Sequence, residues 1–141
     1  MKNFSLLLVI IFSLMFVSCS KDKSKIKIEA GQAVAFDTGD NFEINITAQA
    51  KSIKLNEKDG KYSASIFYSV DIINPDGKTQ KALTSQKIDT VFAEKTSDIK
   101  IDVQLNLNKD SKLGKYKAVI NVKDNLNQTE ANSTTEFTVE K

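Results

Sequence analysis

Beyond residue 25 the chain alternates apolar and polar residues with a period of two, and no stretch carries a helical period. Ile26 and Ile28 alternate with lysines, and Val34 and Phe36 form the next short run. Phe42, Ile44, Ile46, Ala48 and Ala50 then alternate with Glu43, Asn45, Thr47 and Gln49. The longest alternation runs through Tyr62, Ala64, Ile66, Tyr68, Val70 and Ile72, with Ser63, Ser65, Phe67, Ser69 and Asp71 as the opposite set. Ile99, Ile101, Val103, Leu105 and Leu107 make a further run, as do Tyr116, Ala118, Ile120 and Val122, and Phe137 and Val139 close the chain. Strands that bury one face carry this pattern, so about seven of them predict an all-β, antiparallel β-sandwich over residues 26–141. A domain of this length buries about two thirds of its unfolded surface and folds without disulfides.

Turn signals separate the runs. Asp59-Gly60 is a hairpin signal, because glycine reaches positive φ without strain. Asn74-Pro75-Asp76-Gly77 stops the longest alternation, with proline presetting φ and glycine supplying a left-handed residue. Residues 78–97 are the least regular. Lys78 to Leu83 reads as a short edge strand guarded by lysines, and Ile88 to Phe92 reads either as a strand crossing between sheets or as a loop covering an edge.

Leu113-Gly114-Lys115-Tyr116, followed by Lys117-Ala118-Val119-Ile120, resembles the tyrosine corner of immunoglobulin-like and fibronectin-like domains. The resemblance implies an immunoglobulin-like sandwich in which the Tyr116 hydroxyl bonds a backbone group a few residues upstream. Ala118 stands where an antibody domain has its second cysteine, and the chain has no tryptophan, so the antibody type is excluded.

The N-terminus has a different character. Lys2 precedes a run of about fourteen apolar residues from Phe4 to Val17, broken only by Ser5 and Ser13, which is short for a membrane span and right for a secretory segment. Ser18 and Cys19 follow, and Cys19 is the only cysteine in the chain. This stretch resembles a bacterial lipoprotein precursor, with Phe16 in place of the usual leucine. The resemblance implies a signal peptide at 1–18, lipidation of Cys19, a polar tether through Lys25 and the domain at 26–141. It also implies a lipid-anchored place in the bacterial cell envelope, with Ser20 after the cysteine pointing to the outer membrane rather than the inner one.

Composition narrows the chemistry. All 20 basic residues are lysine, against 18 acids, and histidine, arginine and tryptophan are missing. Imidazole catalysis, a Ser-His-Asp triad and a His/Cys zinc site are thereby excluded. The near-neutral balance gives no reason to expect nucleic acid as a partner, and no cofactor is expected. Oxygen-rich Asp124, Asn125, Asn127 and Glu130, between the last two strands, form a candidate calcium loop without the Asp-x-Asp order of a known one.

The expected function is therefore a non-enzymatic protein-interaction module of the envelope, the alternative being a small-ligand or calcium-binding lipoprotein. Phe67 and Val119 face outward on strands that an immunoglobulin-like order makes neighbours, so they are the candidate interaction face, ringed by serine, asparagine and lysine. The competing expectation is that residues 85–96 fold over this face and bury Phe67.

Overall fold

The structure is a computed structural model that describes residues 25–141; the expected signal peptide, Cys19 and all but Lys25 of the expected tether lie outside the described residues. Its elements, in chain order, are β1 (Lys27–Asp37), β2 (Asn41–Lys51), β3 (Asn56–Lys58), β4 (Lys61–Ile73), β5 (Thr79–Phe92), β6 (Ile99–Asn108), β7 (Gly114–Asp124) and β8 (Thr129–Val139). All pair antiparallel in two sheets. One sheet has the order β1-β2-β6, and the other has β5-β4-β7-β8 with short β3 also on β4. Tyr62 pairs with both Glu57 and Phe92, so β3 lies on the β7 side of β4, opposite β5. Three strands packed against four long ones and the short β3 make an immunoglobulin-like β-sandwich.

The predicted inward sets meet between the sheets. Phe42, Ile44 and Ile46 of β2 and Ile101 of β6 pack with Ile66, Val70 and Ile72 of β4 and with Ile120 and Val122 of β7, all virtually without solvent contact. Asp59 and Gly60 both take positive φ, at 52° and 73°, in the two-residue turn that joins β3 to β4. Both central residues of a type I′ hairpin need that conformation. At the other end, Gly77 at φ 81° lets its N–H donate to the Asn74 carbonyl at 2.9 Å and completes the proline turn.

Two irregularities lie beyond simple alternation. In β1 the register with β2 shifts between Ala30 and Ala33. The one extra residue in β1 reverses the strand's faces, so Ala33 and Ala35 point toward the core while Val34 and Phe36 point outward, Phe36 being 50% exposed. Segment 79–92 is a single long strand, not a strand followed by a loop. It hides its continuity behind a bulge: Val70 pairs with Thr84 and Ile72 with Gln80, while Ala82 adopts φ 48° and donates its N–H to Asp71 Oδ1 at 2.7 Å.

Candidate interaction face

The outer face of the β5-β4-β7-β8 sheet is built in rows by the strand register. Phe67 lies between Lys87 of β5 and Lys123 of β7, and Lys123 pairs in turn with Glu130 of β8. The next row toward the C-terminal end of β4 is Ser85, Ser69, Asn121 and Asn132, and the one after it places Asp71 beside Val119 and Thr134. Phe67 is 41% exposed, because β5 lies beside β4 in the plane of the sheet and does not fold across it. The expected covering by residues 85–96 is thereby corrected.

The expected pairing of Phe67 with Val119 is also corrected. Their strands are neighbours, but Phe67 faces Lys123 and Val119 faces Asp71, with the Ser69–Asn121 pair between them. Four residues of offset separate the two by about 13 Å along the strands. Val119 is half-buried in a polar row, where Asn121 Nδ2 donates to Asp71 Oδ2 at 3.2 Å. Other exposed apolar groups lie toward the start of β4, with Val91 at the same four-residue offset from Phe67 that Val119 has. Val91 faces outward opposite Ser63 and is 63% exposed, and Leu126 in the β7–β8 turn shares an open groove with it. Ser63, Ser65 and Asp89 line the same groove. Leu126 carried a signal in the sequence, as an isolated leucine within a polar turn, whereas Val91, next to Phe92 in an apolar pair, is assigned its face only by its pairing with Ser63 of β4.

A second open groove, of about 340 Å³, adjoins Phe67 on the β8 side and is lined by Ser69, Asn121, Lys123, Glu130 and Asn132. Around both grooves the charges are paired, Lys87 with Asp89 at 2.8 Å and Lys123 with Glu130 at 3.7 Å. The Lys87 ammonium, with help from Ser65, holds the Asp89 carboxyl below the ordinary aspartate range. The face is thus an aromatic centre with further apolar groups to one side and a neutralised polar rim. Such a surface loses little on desolvation when a partner covers it.

The candidate calcium loop does not gather. Asp124 is fully buried, and its two oxygens accept the backbone N–H groups of Lys54 at 2.6 Å and Leu126 at 2.9 Å. Asn125 Nδ2 donates to Ser65 Oγ, Asn127 Oδ1 accepts from the N–H and hydroxyl of Thr129, and Glu130 turns to Lys123. Among the described residues no three His, Cys, Asp or Glu side chains come together as a metal site. The loop reading is corrected to a turn held by local Asx bonds.

Tyr116 begins β7 as the motif requires. Its hydroxyl donates to the Lys112 carbonyl at 2.7 Å, and its ring stacks on Phe137 of β8 at 5.4 Å between centroids. This is tyrosine-corner geometry, and it fixes the 109–113 connection to the sandwich.

No family model and no curated protein matches the chain. Among solved structures it is similar to the crystal structure of a Bacteroides uniformis β-glucuronidase at 15% identity and a TM-score of 0.42, over 79% of this chain and 13% of that one. It is also similar to the X-ray structure of a structural genomics target, SoR45, at 12% identity and a TM-score of 0.35, over 82% of this chain and 84% of that one.

Proposed function

We propose that this chain is a non-enzymatic lipoprotein of the bacterial cell envelope, anchored through Cys19, that binds another envelope protein on the outer face of the β5-β4-β7-β8 sheet. The exposure of Phe67 at the centre of a charge-neutral rim carries the reading, because a phenylalanine left in water on a strand that otherwise presents serine has no role in the chain's own core. The anchor rests on the apolar run from Phe4 to Val17 and the position of the sole cysteine. Diacylglyceryl attachment would supply two acyl chains at about 0.8 kcal/mol per buried CH₂, enough for stable membrane residence. The tether then sets the reach. The six residues from Ser20 to Lys25 span at most about 20 Å, so the end of the sandwich where β1 begins lies near the bilayer.

The test has two arms in cells expressing the full-length chain. Cys19→Ala should release the protein from membranes that have been washed with high salt and carbonate; retention at the wild-type level overturns the anchor. Phe67→Lys should leave the melting temperature nearly unchanged and abolish a crosslinked complex that wild type forms. Retention of that complex moves the binding site to the loops.

A further inference from the structure

Besides the three-residue β3, two strand edges of the sandwich are open. β1 and β8 run beside one another, whereas among the described strands β5 pairs only with β4 and β6 only with β2. An unpaired edge presents a row of N–H and C=O groups to any extended segment that fits. The two edges differ in what pairing would add. The inward residues of β6, from Ile99 to Leu107, are already buried to 7% exposure or less, so a strand added there gains backbone bonds alone. On β5, Ile88 and Phe92 reach the core only partly and Val91 is exposed. A strand added there also covers apolar surface.

The regular part of β5 starts after the bulge and runs in unbroken register from Thr84 to Phe92. Its midpoint is Ile88, flanked by Lys87 and Asp89. We propose that two copies of this chain associate about a two-fold axis by antiparallel pairing of β5 with β5, centred on Ile88. At this register Lys87 lies opposite the partner's Asp89, and Asp89 opposite the partner's Lys87. Each copy already holds its own Lys87 and Asp89 2.8 Å apart, so the four charges alternate across the junction. On the inner face Ile88 meets the partner's Ile88, and Thr84 meets the partner's Phe92. Moving the centre to Lys87 or to Asp89 sets like charges directly opposite, which destabilises cross-strand pairs. The lysine that guards the edge against other strands is therefore the residue that selects this register.

The product is a continuous eight-stranded sheet, β8-β7-β4-β5 followed by its two-fold image, within the size that open twisted sheets reach. Both Phe67 faces lie on the same side of it. The dimer does not depend on Phe67 binding anything; Lys87 and Asp89 also rim the Phe67 face, so the two readings are separated by Phe67→Lys, which should abolish the partner complex and leave the dimer intact.

The experiment uses the full-length chain purified in mild detergent, with Cys19→Ser so that introduced thiols are the only ones. Residues directly opposite in an antiparallel pair have Cα atoms about 4.5–5.5 Å apart, within disulfide range, whereas a four-residue offset adds about 13 Å. Ile88→Cys should therefore crosslink to a dimer under mild oxidation, and Thr90→Cys, which would face the partner's Gln86, should not. By sedimentation the parent should be a dimer. Lys87→Glu, an exposed change that leaves the melting temperature of the monomer nearly unaltered, should weaken dimerisation about tenfold or more. The charge swap Lys87→Asp with Asp89→Lys should restore it. A monomeric parent, equal crosslinking at positions 88 and 90, or a dimer insensitive to Lys87→Glu overturns the proposal, and a dimer that crosslinks through Ile101→Cys instead assigns the interface to β6.

Discussion

The carboxylate of Asp124, buried at the end of β7, accepts the backbone N–H of Lys54 at 2.6 Å. Lys54 lies in the connection that carries the chain from the β1-β2-β6 sheet to the other one. The second carboxylate oxygen accepts the N–H of Leu126, and the Asp124 carbonyl accepts that of Gln128, both at 2.9 Å. One side chain therefore ties the crossing between sheets to the β7–β8 turn and satisfies donors that the ladders leave over. Asp124→Asn keeps the shape but replaces one acceptor with a donor, leaving an N–H facing an N–H. The expected loss is about 1–3 kcal/mol, the cost of an unsatisfied buried donor. Urea unfolding reads it directly, and a midpoint equal to that of wild type would show that the two N–H groups find other partners.

Tyr116→Phe keeps the stacking on Phe137 and removes only the bond to the Lys112 carbonyl. The expected loss is about 0.5–1.5 kcal/mol, rising toward about 3 if the carbonyl is left without a partner. Alkaline pH probes the same group. Burial, and secondarily the charge of Asp76, raise the Tyr116 pKa above its ordinary value. A raised folded pKa gives stability that is full below the unfolded pKa of about 10 and is lost as pH rises through the folded value. Wild type should lose stability on that limb more steeply than Tyr116→Phe, and parallel alkaline melts would contradict the assignment.

Alternation made most of the fold legible because the sandwich buries one face of each long strand, and period two is the direct imprint of that burial. The inward sets of β2, β4, β6 and β7 are those the sequence predicts. Alternation failed at the bulges, since an inserted residue leaves composition unchanged while exchanging the faces. In β1 the single extra residue turns Val34 and Phe36 outward, whereas in β5 two extra residues between Gln80 and Thr84 keep the faces but interrupt the pattern, so that one strand reads as two segments. The candidate face was half legible. Phe67 follows from strand phase alone, but its neighbours depend on register between strands, which alternation does not encode. Phe67 consequently meets Lys123 and not Val119.

Acid should weaken the end of the sandwich that carries the turns 38–40, 74–78 and 109–113. Asp37 bonds Lys109 and the Gly39 N–H, and both hold its pKa below the usual aspartate value. Asp76 accepts the Lys78 N–H at 3.1 Å and faces Lys112 at 3.3 Å, with the same direction of shift, the backbone bond first. A depressed folded pKa contributes stability that is present above the unfolded value of about 3.9 and lost as pH falls through the folded one. Melting temperature should thus fall below about pH 4. In the double variant Asp37→Asn with Asp76→Asn it should begin lower and depend less on pH there; an unchanged acid slope would assign the acid sensitivity to other carboxylates.

Gly31 occupies the β1 bulge, where its backbone lies tight against Thr47 of β2. A Cβ at this position would stand 2.3 Å from Thr47 Oγ1 and 2.7 Å from the Thr47 carbonyl oxygen. The hydroxyl is itself engaged, accepting the Gln32 N–H at 3.0 Å that the register shift frees from the ladder. Gly31→Ala must push the two strands apart, and the expected cost is about 1–3 kcal/mol, as for other overpacked sites. Thr47→Ala in the same chain removes the hydroxyl clash and leaves the carbonyl clash, which sits on backbone that cannot rotate away. The double variant should therefore recover only part of the lost stability in urea unfolding. Full recovery would mean that the hydroxyl alone excludes a side chain there, and no loss in Gly31→Ala would mean that the bulge is wider than its geometry indicates.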